Sequence, residues 1–381
     1  MTIAEINSKF STKRLNALMV KEFIQMVRDP SSLMIGFGLP LLLMIIYGFG
    51  VSLDIEHLRI GLVLEDATPS TFSFANSLIN SKYFDVTFAQ DRRELEDKML
   101  NGTIRGFAVI PAYFTQFEKG RQHTAPIQVI ADGSETNTAS FVQNYIRGAW
   151  DNWKEQQRLV SGVKRPPSVV PIPRFWYNEQ LISRNFLIPG SIALIMALIG
   201  TLLTALVVAR EWERGTMEAL MSSPVHIVEI LIGKLIPYFL LGMAAMTLST
   251  CVAIFFYDVP FRGSFLLLAA VSAVFLLTAL ETGLLISTLS RNQFTASQAA
   301  FVFAFLPAFM LSGFIFEIGS MPKAIQFMTL LLPARYFVSS LQTLFLVGNV
   351  WSLIAYNLMA MTLIGIGLFV AIARRTVKRL D

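Results

Sequence analysis

Apolar and polar positions divide the chain into blocks of different period. Between residues 15 and 28, Leu15, Leu18, Met19, Phe23, Met26 and Val27 recur at helical spacing, while Arg14, Lys21, Gln25 and Arg28 share the opposite face. That pattern predicts an amphipathic helix lying on a membrane surface. Asp29-Pro30-Ser31 breaks it, and the uncharged run 33–53 is long enough to cross about 30 Å of hydrocarbon. The long helix before this run and the charged Asp54-Ile55-Glu56-His57 after it distinguish it from a cleaved signal peptide, so it is read as a retained first span. Residues 54–183 turn polar and mixed in charge, which predicts a folded α/β domain with strands at 59–64, 84–88, 106–110 and 127–131. Helical patterns fall at 72–80, 92–101, 113–120 and 139–160. Asp132-Gly133-Ser134 reads as a turn, and Pro166, Pro167, Pro171 and Pro173 as an extended linker back to the membrane.

Five more apolar runs follow, at 186–209, 227–256, 265–289, 295–316 and 351–373, for six spans in all. Between the last two lies 321–346, apolar but broken by Pro333 and carrying Arg335, which suits a re-entrant or interfacial helical hairpin better than a crossing. The fold class expected is an α-helical polytopic membrane protein with six transmembrane helices and one inserted α/β domain. Its segments are 1–32 before the first span, the span itself at 33–53, the domain at 54–183 and the remaining five spans within 184–381.

Composition supports a bilayer as the solvent: 54% of residues are hydrophobic and only 15% charged, against about 25% charged in soluble domains. The formal net charge of +5 does not point to nucleic acid, because the basic residues sit beside apolar runs and are not interleaved with aromatics. They do report orientation. Lys9, Lys13, Arg14, Lys21, Arg28, Arg210, Arg214, Arg291, Arg374, Arg375, Lys378 and Arg379 fall on one side, and the opposite short loops hold only Arg262, Lys323 and Arg335. The imbalance puts both termini in the cytosol and the inserted domain outside, in the periplasm of a Gram-negative cell. Cys251, alone in an apolar stretch, reads as a small core hydrophobe, and His57, His123 and His226 lack the spacing of a metal site.

The most informative stretch is 210–224, R-E-W-E-R-G-T-M-E-A-L-M-S-S-P, read as a short charged helix between the second and third spans. Glu211, Glu213, Arg214 and Glu218 offer a charged surface to a soluble partner, with Gly215 allowing a close approach or a bend next to the membrane. A solvated loop that satisfies the positive-inside rule fits the same residues equally well. Within the spans only Glu281 stands out, between Thr278 and Thr282 in the fourth. It can pair with a base on a neighbouring helix, bind a cation or proton, or serve as a structural carboxyl facing the bundle. Lys234 reads as a snorkelling lysine without a transport role.

The stretch 210–224 and the following V-H-I-V-E-I-L-I-G-K-L-I-P-Y at 225–238 resemble the signature of ABC type-2 exporter permeases. The resemblance extends to V-K-E-F-I-Q-M-V-R-D-P at 20–30, N-F-L-I-P-G at 185–190, M-L-S-G-F-I-F at 310–316 and L-P-A-R-Y-F at 332–337. It covers essentially the whole chain, and the order of elements is similar to the multidrug-export branch: cytosolic elbow helix, one span, external domain, five spans with a re-entrant element before the last. The resemblance implies a half-transporter in the bacterial inner membrane that pairs with a second copy or a paralogue. Two ATPase subunits would supply ATP and Mg²⁺ chemistry from the cytosolic face, and a periplasmic adaptor is a further implied partner. It also implies that Glu211, Glu213, Arg214, Gly215, Thr216 and Glu218 lie in an ATPase-coupling helix, with Lys21, Glu22 and Arg28 of the elbow sharing the contact. Met196, Thr201, Thr204, Phe301, Phe305 and Phe309 would line a cavity at the dimer interface, suited to small amphipathic or hydrophobic cargo. No cofactor is expected on this chain, which lacks a G-x-x-x-x-G-K-[ST] loop. A membrane-bound receptor with an external ligand-binding domain, and a lipid or polysaccharide exporter, are the competing readings. A membrane enzyme is disfavoured because neither G-x-S-x-G nor H-E-x-x-H occurs.

Overall fold

A computed structural model describes residues 10–50, 57–65, 68–118, 127–134, 136–161, 176–178, 182–217, 222, 225–290 and 292–375. The chain separates into two compact units, Leu53–Pro173 and the remainder, Met1–Ser52 with Arg174–Asp381.

In the smaller unit, β1 (Leu58–Leu64), α3 (Pro69–Ile79), β2 (Phe84–Ala89), α4 (Arg92–Leu100), β3 (Gly106–Ile110), α5 (Phe114–Glu118), β4 (Gln128–Ala131) and α6 (Thr136–Ser161) follow one another. The sheet order is β2-β1-β3-β4, with β1 parallel to both neighbours and β4 antiparallel to β3. Parallel strands are covered on both faces. Leu58, Ile60 and Leu62 alternate toward Phe74, Phe114, Ile146 and Trp153, whereas Val63, Phe107 and Val109 face Leu95 and Ile104. Helix α3 starts three residues earlier than the periodicity predicts, because Thr68 and Thr71 form a reciprocal capping box with Pro69 in the first turn. The proline linker and His123 lie outside the described residues.

The larger unit is helical. It begins with α1 (Thr12–Arg28) and α2 (Pro30–Gly50), and continues with α7 (Ser183–Glu213), α8 (Ile227–Phe255), α9 (Phe265–Ser290) and α10 (Gln293–Leu311). The pair α11 (Lys323–Thr329) and α12 (Pro333–Leu346) leads to α13 (Trp351–Arg375). Among the described residues, six helices are long and apolar enough to cross a membrane: α2, α7, α8, α9, α10 and α13. Helices α11 and α12 are bent by 81° at a break that falls on Pro333, whose ring excludes a helical conformation at Leu332. The fifth apolar run stops being helical at Leu311, not at Phe316, because Gly313 takes a positive φ of 86° and turns the chain. Wide π turns at Met34–Gly38 and Phe301–Phe305 come just before Pro40 and Pro307, which remove a backbone donor from the helical ladder.

Helix α7 is apolar all round and is the pillar of the bundle: 89% of its span window is buried, against 17% for α2 and α10 and 22% for α13. Small residues let α9 pack closely on it. Thr204 Oγ1 of α7 donates to the Leu280 carbonyl at 2.7 Å, Gly200 faces Ala279, and Gly283 faces the Thr201 carbonyl. Phe275 of α9 stacks on Phe337 of α12 at 3.9 Å, and Tyr257 at the end of α8 donates to the Met44 carbonyl of α2 at 2.9 Å. Cys251 is exposed on α8, not in the core as expected, since the helix turns that face away from its neighbours.

A β-carbon at Gly283 would overlap the Thr201 carbonyl, so Gly283→Ala should destabilise the α7–α9 contact by about 1–3 kcal/mol. At Gly367, where a β-carbon meets nothing within 4 Å, the same change should leave stability unchanged or slightly higher. Thermal unfolding of both variants in detergent, followed by size-exclusion elution, measures the contrast.

Candidate functional site

The strongest chemical concentration in the helical unit is a belt of charges at the C-terminal end of α7. Lysine 234, on the second turn of α8, is buried, and its ammonium contacts both Glu211 of α7 and Glu22 of α1, the latter at 3.1 Å. Lys21 closes the group from α1, 2.8 Å from Glu211 and 2.9 Å from Glu22. Two lysines and two glutamates therefore balance in charge, and only Lys21 is substantially exposed. Isolated charges in such a place would be strongly destabilising, so each requires the others.

Helix α1 can reach the cluster because its inward stripe is Leu15, Leu18, Glu22 and Met26, with Leu18 packed directly over Gly233 of α8. Phe23 and Val27 of the expected apolar face are about half exposed, together with Val20 and Ile24, while Lys21 turns toward Glu211 and Arg28 stays in the open. Both faces of α1 carry apolar residues, and the buried Glu22 is compensated by Lys234 and Lys21.

Two further links extend the belt. At one end, Glu229 is fully buried and caps α8, accepting from the His226 backbone N–H at 3.0 Å, from the Ser11 N–H at 2.5 Å and from Arg14 at 3.3 Å. At the other, Asp29 accepts from Arg210 at 2.6 Å, Arg210 donates to Gln293 of α10 at 3.3 Å, and Glu213 accepts from the Gln293 backbone N–H at 2.8 Å. The belt thus ties α1, α7, α8 and α10 together at a single level.

Burial by itself raises the Asp29 pKa, but the hydrogen bonds from Arg210 and Ser32 and the Arg210 charge outweigh it and hold the carboxyl below its ordinary value. Its stabilising contribution is complete above the ordinary carboxylate pKa and is lost only as pH falls through the lowered one. For Lys21, burial lowers the pKa, but the hydrogen bond it donates to Glu211 and the charges of Glu22 and Glu211 outweigh this, for a net increase. That contribution persists until pH rises above the ordinary lysine range.

Several expected roles are redistributed. Arg210 to Glu213 complete the long α7 and do not form a separate short helix; the break comes at Arg214 and Gly215, with Gly215 at φ 69°. Glu211 is buried and paired, so it is not available to a soluble partner; Glu213, Arg214, Gly215 and Thr216 are exposed. Glu218 lies outside the described residues. Lys234 does not snorkel to solvent but sits at the centre of the cluster. A lysine seven residues beyond the start of an apolar helix is the signal in the sequence that could have found the cluster, along with Glu229, Asp29 and Gln293.

Glu281 is buried on α9, where Gly365 of α13 packs beside it, and its Oε2 has no hydrogen-bond partner among the described residues. The hydroxyls of Thr278 and Thr282 are turned to their own backbone carbonyls. No basic partner from a neighbouring helix is present among the described residues. Of the six expected cavity residues, three lie on α7 and three on α10, and Phe305 and Phe309 pack against the core that contains Met196. Met196, Thr201 and Thr204 are buried inside this chain's own core, because α7 is covered on all sides. Phe301, Phe305 and Phe309 instead form a ladder along α10, with centroids 5.2 and 5.9 Å apart, and Phe301 is exposed. Among the described residues no group of three or more His, Cys, Asp or Glu could hold a metal.

Comparison with known proteins gives this geometry a context. The family model described as ABC-2 family transporter protein matches residues 30–374. The chain is 48% identical over 376 residues to the probable multidrug ABC transporter permease YbhS of Escherichia coli strain K12, covering 98% of this chain and 100% of that protein. It is 29% identical over 334 residues to the probable multidrug ABC transporter permease YbhR of the same strain, covering 87% of this chain and 90% of that one. It is also similar to the linearmycin resistance permease protein LnrN of Bacillus subtilis strain 168, at 23% over 353 residues, with 86% and 90% covered.

Removing one member of the buried cluster leaves the opposite charges unpaired, so Lys234→Met should destabilise the protein by about 3–5 kcal/mol. Adding Glu211→Gln to it should recover much of that loss. Thermal melts of the single and double variants in detergent check the coupling; additive losses would mean that the pair is not one unit.

Proposed function

Because the chain belongs to the ABC-2 family of transporter proteins, we propose that it is the permease subunit of an ATP-driven exporter in a bacterial inner membrane. The observation that carries this reading is the buried Lys21-Glu22-Glu211-Lys234 cluster, which joins an exposed turn to the spans. Arg214, Gly215 and Thr216 stand exposed immediately after the helix whose Glu211 is locked to α1 and α8. A partner that moves this turn moves the end of the central pillar, and with it α1, α8 and α10.

In this reading the belt faces the cytosol, consistent with the excess of Lys and Arg on that side. Helix α1 is the elbow, lying at the surface with Phe23, Val27, Val20 and Ile24 in lipid. The α11–α12 pair is a re-entrant element on the opposite side, and the α/β unit is extracytoplasmic, where it meets an adaptor. Two ATPase subunits bind ATP and Mg²⁺ and dock on Glu213, Arg214 and Thr216. The chain pairs with a second permease, a copy or a paralogue, and the names of YbhS and YbhR as multidrug permeases favour small amphipathic or hydrophobic compounds as cargo. The apolar faces of α2, α10 and α13, little buried within this chain, are available for that pairing or for lipid.

Photocrosslinking residues placed at Arg214 and Thr216 of the tagged full chain test the docking surface. An ATP-hydrolysing subunit should be recovered in covalent adducts from both positions, and from neither Gly367 nor Phe303 on the spans. Absence of any co-purifying ATPase would overturn the exporter reading, and adducts confined to the span positions would overturn the docking surface.

A further inference from the structure

At the N-terminal end of α7, away from Glu211, a cavity of about 850 Å³ opens between that helix, the turn that follows α10, α12 and the start of α13. Its size is that of a pocket for a drug-sized or lipid-sized molecule. Aromatic side chains line it, with Trp176, Phe186 and Tyr356 each substantially exposed. Such residues offer apolar contact area at membrane interfaces.

Its polar side is rich in donors. Ser312 is almost wholly buried, and its Oγ has no hydrogen-bond partner among the described residues; the same is true of the buried Nε2 of Gln342. Arg335 lines the same cavity and supplies a fixed positive charge. Glu317, also in the lining, is exposed to solvent, so its charge is the more screened of the two. Asn357 is already engaged, donating to Ser340 Oγ at 2.9 Å. A buried amide donor and hydroxyl left unmatched in a protein interior are destabilising, and an oxygen-bearing ligand would satisfy both.

We propose that this cavity binds an amphipathic molecule with an anionic, oxygen-bearing head. The head contacts Arg335, Gln342 Nε2 and Ser312 Oγ, and the apolar body lies along Trp176 and Phe186. A membrane phospholipid and an exported compound share this chemistry; only the second source rests on the exporter reading.

The probe is dodecyl phosphate, titrated into the purified full chain in dodecyl maltoside while tryptophan fluorescence is followed. The expected result is a saturable change that Trp176→Phe removes. Arg335→Gln should weaken binding about ten-fold or more, with Arg335→Lys intermediate, and Gln342→Leu should weaken it several-fold. Should Arg335→Gln not fold, Gln342→Leu carries the test, because its Nε2 makes no bond that folding requires. Native mass spectrometry separates the sources. One phospholipid per chain, displaced by dodecyl phosphate and missing from Arg335→Gln, identifies membrane lipid; binding of dodecyl phosphate with no retained lipid identifies an exported compound. A non-saturable change, an unchanged signal in Trp176→Phe, or unaltered binding in both Arg335→Gln and Gln342→Leu would overturn the site. None of these readouts uses ATP hydrolysis, so the outcome is independent of whether an ATPase docks.

Discussion

Three buried charges, Glu22, Glu211 and Lys234, closed off by a half-exposed Lys21, set the architecture of the helical unit. Lys234 is buried in an apolar helix, and without Glu211 and Glu22 around it the end of α8 would be a place of uncompensated charge. Because the partners come from α1 and α7, satisfying this lysine fixes where the amphipathic helix docks and how far α7 extends. Leu18 over Gly233 and the Glu229 cap then follow from the same placement. Ion pairs of this kind add less net stability than well-packed hydrocarbon, but they discriminate strongly between registers, since a shift of one residue strands a charge.

From that end, the geometry runs through α7 to the far side of the unit. The helix is long, buried nearly throughout its apolar window and locked to α9 by a hydroxyl-to-carbonyl bond and close glycine contacts. A helix braced along its length in this way is suited to carrying a displacement between its ends. Its N-terminal end is one wall of the cavity beside Arg335 and Gln342. Recognition at one end and the charged belt at the other are thus features of the same helix.

Much of this was legible in the sequence, and the exceptions share a cause. The six apolar runs, the break at Pro333 and the four strands follow from hydrophobic period, proline chemistry and alternation, which are local properties. Helix ends were displaced where a cap or a positive φ intervened, at Thr68 and at Gly313. What could not be read was partnership. Read against their sequence neighbours, Glu211 is a surface charge and Lys234 a snorkelling one, whereas the two pair with each other across 23 residues and with Lys21 and Glu22 of α1 across 190 and 212. Met196, Thr201 and Thr204, expected to line a cavity between two chains, are buried within this one. Glu213, Arg214, Gly215 and Thr216 keep the exposure expected of a docking surface, as do Lys21 and Arg28 of α1.

The most direct test of coupling through the cluster is a spin-label distance across the cavity, between exposed lining positions 315 and 356, measured with and without ATP in the membrane-reconstituted assembly. If the cluster is the link, the unaltered chain changes this distance on ATP binding, and the charge-balanced variant Lys234→Met with Glu211→Gln, still retaining its ATPase, does not. An ATP-driven change of the same size in that variant would contradict coupling through the buried charges.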